Sequence, residues 1–315
     1  MAALTLLLPA LARIESVGSP AILERWIARG NALADAKAGR EAGLRECFEF
    51  TGKTLPSAAL TRSMDSSDAA GALWLRADPA YAVADAVTVR MLASAIGDLS
   101  QDESDQLARA LRPLFGDAGF PLETATPARW YLRCPSGSRL PQFAEPEDVL
   151  GDDMLRHLPR GDNDRQWRHL LNEAQVILHN HPVNVRRIAQ GQMPATSVWF
   201  WGAGMLPQWV RSPFTRVCSG DDVVIALARL ATVAVAAPEP LAVLDFDVHD
   251  TLLLDLADIR DPAVLEQQWL QPLDAALRRR YLNTLSLRFA DGARTTVKPL
   301  HRWRFWRKAR PVASR

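Results

Sequence analysis

Short apolar runs alternate along the chain with stretches in which apolar residues return every three or four positions. Leu4 to Leu8 is a mostly apolar run closed by Pro9, the pattern of a strand buried on both faces. Ser19-Pro20 then opens a helix. Ser19 can cap it, Pro20 suits its first turn, Ile22, Leu23, Trp26 and Ile27 share one face, and Gly30 stops it. A further helix is expected over 40–56. Gly71 to Arg76 reads as a strand followed by Ala77-Asp78-Pro79. Residues 103–115 read as an amphipathic helix with Leu107, Leu111, Leu114 and Phe115 inward and Pro113 ending it early. Trp130–Leu132 predicts a strand and 134–164 a loop-rich stretch. Trp167 to Leu178 predicts a helix with Leu170, Leu171, Ala174, Ile177 and Leu178 inward.

Beyond that helix the spacing predicts a polar loop carrying His181, Asn184, Arg186 and Arg187. A strand, Val198–Trp201, follows and ends at the glycine turn Gly202-Ala203-Gly204. Val217 reads as strand, and Asp221-Asp222 begins a helix that runs through Thr232. Leu241–Phe246 reads as a strand leading into Asp247, and 261–280 as a helix broken near Pro272. Residues 285–289 and 295–298 flank Asp291-Gly292, a strong hairpin signal. Strands alternating with helices predict an α/β fold with a mixed, largely parallel sheet flanked by helices.

Composition narrows the class without naming a function. The 315 residues are 48% hydrophobic and 23% charged, enough to bury a core without disulfides and incompatible with a disordered or collagen-like chain. Cys47, Cys134 and Cys218 are widely spaced and form no CxxC pair, which argues against a zinc ribbon and a disulfide scaffold. The longest apolar run, Val223–Ala237, is 15 residues and contains Arg229, too short for a membrane span. The amino-terminal run has no basic residue ahead of it, so a buried strand and a cytoplasmic location are expected. The net charge of +1 conceals an asymmetry. Arg278–Arg315 holds twelve Lys/Arg and the single acid Asp291, and the remainder carries −10. That tail interleaves His301, Trp303, Phe305 and Trp306. It reads either as lying on the protein's own acidic surface, its tryptophans tucked in, or as contacting nucleic acid or acidic lipid. The first is the expectation.

Two stretches could carry chemistry. In Leu171–Gly204, two adjacent arginines and an asparagine precede a strand and a glycine turn. His181, Asn184, Arg186, Arg187, Gly202 and Gly204 are therefore candidates for binding phosphate or another anion, unless Arg186 and Arg187 are solvated and His179 and His181 cap a helix end. In Leu244–Asp255, the residues Asp245, Asp247 and His249 crowd a strand end and are candidate ligands for Mn²⁺ or Zn²⁺, unless they are capping groups. The chain has no Walker loop, GxGxxG or GxSxG.

His181-Pro182-Val183-Asn184, Arg187, Gly191, Pro194-Ala195 and Gly202-Ala203-Gly204 resemble the central signature of the archaeal-type cofactor-independent phosphoglycerate mutases, members of the alkaline phosphatase superfamily. Asn172-Glu173, Ser19–Gly30 and Pro127–Leu132 fit the same pattern, and Asp245 and His249 have the spacing of one metal-ligand pair. Trp74–Pro79, Arg129–Leu132, Leu171–Gly204 and Trp303–Arg307, in that order, resemble the bacterial regulatory RpfE-type proteins. The resemblance implies an alkaline-phosphatase-like core from 1–76 and 196–315, with a smaller α/β domain, 77–195, inserted. The departures bear on activity. Leu8-Pro9-Ala10 stands where the mutase pattern has a metal-binding Asp-Gly, and Trp201 stands where it has arginine. Thr196 replaces an asparagine, and Thr51, Thr54, Ser57, Thr61 and Ser63 all lack the Gly-Ser context of the nucleophile. A two-metal clamp stripped of ligands fails. The expectation is a non-catalytic, regulatory or binding relative that uses no cofactor, its partner a protein or a small anionic ligand and not nucleic acid. Two alternatives remain: a phosphomutase or phosphatase with a rearranged Mn²⁺ or Zn²⁺ site, and an adaptor acting through the basic tail.

Overall fold

The computed structural model describes residues 2–85, 87–161, 164–240 and 250–307. The chain divides into two compact units, the first built from Met1–Thr51 and Gln208–Arg315 and the second from Gly52–Pro207. The first unit opens with β1 (Ala3–Leu8), α1 (Leu11–Val17), α2 (Ala21–Arg29), β2 (Asn31–Ala32), α3 (Arg40–Arg45) and β3 (Glu49–Phe50). The second contains α4 (Ser57–Asp65), β4 (Leu73–Ala84), β5 (Val89–Ser94), α5 (Gln101–Asp117), β6 (Leu122–Thr126) and β7 (Arg129–Cys134). It closes with α6 (Pro146–Val149), α7 (Asp164–His179), α8 (Pro182–Ala189) and β8 (Ser197–Met205). The first unit resumes with β9 (Val210–Arg211), β10 (Arg216–Cys218), α9 (Asp222–Leu230), β11 (Ala234–Ala236) and β12 (Thr251–Asp255). It ends with α10 (Pro262–Val264), α11 (Gln271–Arg278), β13 (Thr284–Phe289) and β14 (Arg294–Val297).

The first unit's sheet has the order β11-β10-β12-β1-β13-β14-β2. β11, β10, β12, β1 and β13 are mutually parallel, and the β13–β14 hairpin adds an antiparallel edge. β1 is central and covered on both faces, which explains its run of leucines. Leu4, Leu6 and Leu8 share one core with Ile22, Leu23 and Trp26 of α2 and with Leu270 and Leu273 ahead of and inside α11. Ser19 does not cap α2. The carboxylate of Glu266 accepts from the N–H groups of Ala21 and Ile22 instead. Pro272 denies the helix a donor, and the preceding turn, Leu265–Leu270, widens into a π-helix where the sequence predicts a break. At the hairpin Gly292 takes φ +92°, and Ala36 leaves no room for a Cβ there.

The second unit's sheet runs β5-β4-β7-β6, with β8 added antiparallel to β4. Leu107, Leu111 and Phe115 of α5 and Trp167, Leu171 and Leu178 of α7 pack on one face, and Ala58 and Ala59 of α4 pack with Trp74 and Tyr131 on the other. Four local expectations change. β4 continues through Pro79, which falls between the end of its pairing with β7 at Arg76 and the start of its pairing with β5 at Ala80. α5 runs past Pro113, because that residue and Arg109, whose carbonyl it frees, face solvent. The helix expected over 40–56 stops at Arg45 and gives way to β3. The polar loop after His179 is the helix α8, with Pro182 at its first turn.

Candidate functional site

In open parallel sheets ligands sit beyond the carboxyl ends of the strands. In the first unit that edge is polar. Leu7 of β1 is level with Asp255 of β12 on one side and Arg288 of β13 on the other, so the three form one cross-strand row. Ser219, just past β10, donates its hydroxyl to Asp255 Oδ2 at 2.8 Å and accepts from the Asp221 N–H at 2.9 Å. Burial, then the charge of Asp221, lifts the Asp255 carboxyl to about 6. Asp221 caps α9, accepting from the N–H groups of Val223 and Val224, and pairs with Arg40. Arg288 donates to Cys47 Sγ at 3.3 Å and pairs with Glu46, which also pairs with Arg294 at 3.1 Å. Burial pushes the Cys47 thiol up to about 11, so it stays protonated at neutral pH. The sequence offered no motif for this edge. Its one signal was Asp255 closing an apolar run.

The anion candidates belong to the second unit, and all but Arg186 already have structural work. His181 caps α8, its Nδ1 accepting from the Val183 N–H at 3.2 Å, and burial followed by the charge of Arg186 holds its pKa below the usual histidine value. Asn184 is fully buried and ties α7 to the approach of β8 through the carbonyls of Leu178 and Ala195 and the N–H of Ala195. The Arg187 side chain is fully buried. It pairs with Asp98 at 2.6 Å and Glu103 at 3.0 Å and donates to the Met193 carbonyl. Arg186 is exposed, with a long 3.5 Å bond to Gln106. Gly202-Ala203-Gly204 is not a turn but part of β8. A Cβ on Gly202 would lie 2.8 Å from Ser57 Cβ, and one on Gly204 would overlap Pro56, so the glycines let α4 press onto the strand.

A buried ionic centre in this unit carries no signal in the sequence. Arg76 grips Asp78 through two bonds of 2.7 and 2.8 Å, and the Trp201 indole donates to the same carboxylate at 2.7 Å. Burial raises Asp78, although Arg76 opposes it. Thr61, one of the hydroxyl candidates, accepts from Arg76 and Tyr131. Ser63 donates to the Leu60 carbonyl and Thr51 accepts from the Gln208 N–H. Ser57 differs: its hydroxyl is buried at the first turn of α4 and has no hydrogen-bond partner among the described residues.

Asp245, Asp247 and His249, with the strand expected over Leu241–Phe246, lie outside the described residues. Among the described residues no three His, Cys, Asp or Glu side chains are grouped to hold a metal ion. The carboxyl edge does not fit a divalent cation either. Its carboxylates are capped or paired, its thiol is protonated, and Arg40 and Arg288 stand beside them.

No family model matches the chain. Over 112 residues it is 31% identical to a probable 2,3-bisphosphoglycerate-independent phosphoglycerate mutase of Geobacter sulfurreducens, a match covering 36% of this chain and 28% of that protein. Over 85 residues it is 38% identical to the 2,3-bisphosphoglycerate-independent phosphoglycerate mutase of Methanosarcina mazei, covering 27% of this chain and 21% of that one. These relatives are cofactor-independent phosphoglycerate mutases. The matches span less than a third of their lengths. Among solved structures, the cofactor-independent phosphoglycerate mutase of Thermoplasma acidophilum aligns over 94% of this chain and 89% of its own, at 17% identity and a TM-score of 0.44. The relatives correct one expectation. The expectation that no cofactor is used is overturned by these relatives, which use a divalent metal, Mn²⁺, in the active site. Among the described residues no helix is long and apolar enough to cross a membrane.

Proposed function

We propose that the chain is a binding relative of the phosphoglycerate mutases, of the regulatory RpfE type, which holds a small phosphorylated anion without transferring its phosphoryl group. One observation carries the reading. At the carboxyl edge of the first unit's sheet the strand that would bring a metal-binding carboxylate brings Leu7-Leu8-Pro9, while three partly exposed guanidiniums, Arg40, Arg288 and Arg294, stand around it. Phosphoryl transfer between two cations needs a surplus of anionic donors, and at this edge Asp221 and Glu46 are paired with arginines while Asp255 accepts from the Ser219 hydroxyl and the Ala257 N–H. Guanidinium groups suit a phosphate oxygen without further chemistry. Titration with 3-phosphoglycerate, followed by the unfolding temperature, tests the reading. A saturable rise that Arg288→Gln abolishes is expected. An unfolding temperature indifferent to phosphorylated three-carbon acids overturns it.

The second reading, a phosphomutase or phosphatase with a rearranged site, is favoured by Ser57. A buried hydroxyl at a helix N-terminus, with no partner among the described residues, has the surroundings of an unspent nucleophile. Turnover of 3-phosphoglycerate that Ser57→Ala abolishes would establish that reading in place of the first.

A further inference from the structure

The tryptophans of the carboxyl-terminal stretch are not tucked into the fold. Leu300, Trp303, Phe305 and Trp306, with Tyr281 just past α11, are between 59% and 74% exposed. They sit at the amino ends of β1 and β13, where the Asn283 N–H donates to the Ala2 carbonyl, on the opposite edge of the sheet from Asp255. The segment is held in place. His301 is buried and its Nδ1 accepts from the Lys298 N–H, Arg304 donates to the Arg29 carbonyl and to Asn31, and Arg307 donates to the Gly30 carbonyl. The aromatic side chains are therefore presented by a fixed turn, Pro299–Trp303, and the residues that follow it.

Among the described residues the charge around them is largely uncompensated. Arg29, Arg302, Arg304 and Arg307 donate to carbonyl or amide oxygens, which satisfy their hydrogen bonds without cancelling their charge. Among the described residues Asp274 is an acid at this face, and it is already shared by Arg25 and Arg278. Arg279, Arg280 and Lys298 add to the surplus.

We infer that this edge is a docking surface for an anionic phospholipid membrane. Exposed aromatic and aliphatic side chains among basic ones match the layered chemistry of a lipid headgroup region, where rings sit at the interface and cations meet lipid phosphates. Nucleic acid fits less well. The Arg302 guanidinium already lies 4.9 Å over the Trp303 ring, and Phe305 and Trp306 meet edge to face at 5.4 Å, so faces a base would stack on are in use. Leu300 and Tyr281 enlarge an apolar surface that stacking does not need. This surface is independent of the anion site proposed at the other edge.

Co-sedimentation of the full chain with vesicles tests the inference. Binding is expected to vesicles of a zwitterionic phospholipid doped with an anionic one, absent with the zwitterionic lipid alone, and steeply weakened by salt. Trp303→Ser with Trp306→Ser, and separately Lys298→Gln with Arg302→Gln, are each expected to weaken binding on the order of tenfold, with an unchanged unfolding temperature. The inference is overturned by no binding, by equal binding to both lipids, by variants that bind as the parent does, or by a single-stranded oligonucleotide that outcompetes the vesicles.

Discussion

Arg186 and Arg187 are neighbours in sequence and differ in every physical respect that matters for function. Arg187 is sealed under two carboxylates and a carbonyl, whereas Arg186 points to solvent. Arg187→Ala is expected to cost about 2–4 kcal/mol in denaturant unfolding and Arg186→Ala less than about 0.5. Equal, small losses would return Arg187 to the pool of free anion ligands. Asp255 carries a pH signature. Its folded pKa of about 6 exceeds the unfolded value, so the folded state holds the proton more tightly. The stability this supplies is complete below about pH 4 and is lost as pH rises through about 6. Asp255 keeps some solvent exposure, so the size is about 1–2 kcal/mol after screening. Asp255→Asn should flatten that part of the stability profile measured by urea unfolding between about pH 4 and pH 7. A variant with the parent's slope would show that Asp255 titrates normally. At this scale residue type was legible and fate was not. The adjacent arginines were visible as chemistry, but which one is buried depends on Asp98 and Glu103, far away in the chain.

β8 shows how an element misleads when read locally. Gly202-Ala203-Gly204 reads as a turn because glycine is common in turns, yet here it admits α4. Gly204→Ala drives a methyl into Pro56, and an expected loss of about 1–3 kcal/mol in denaturant unfolding would measure that fit. Gly116→Ala, in α5 with open space around it, should instead gain roughly 0.5–1 kcal/mol. A tolerated Gly204→Ala would mean that α4 stands off the strand. Elements with a strong period were legible: β1 from its leucines, α7 from its inward stripe and the β13–β14 hairpin from Asp291-Gly292. Elements set by pairing partners were not. Only the partner strands reveal that β4 passes through Pro79, whereas the start of α8 was marked in the sequence by His181-Pro182, its cap and first-turn proline.

Over the whole molecule, the order of strands and helices was enough to predict a mixed α/β architecture with a largely parallel sheet, and the first unit has it. The candidate site was less legible. The anion signature lies in the second unit, doing structural work, while the polar edge of Asp255, Ser219, Arg40 and Arg288 announces itself only when β12, β1 and β13 are aligned. The charge asymmetry was visible from the start, but the exposure of Trp303 and Trp306 required the fold. Phosphorus NMR separates a mutase-like chain that binds from one that turns its ligand over. The protein is incubated at high concentration with 3-phosphoglycerate and Mn²⁺ while the resonances of 2-phosphoglycerate and free phosphate are followed. A 3-phosphoglycerate resonance of constant area, broadened or shifted by binding, is expected. Growth of either product resonance, lost in Ser57→Ala, would contradict it.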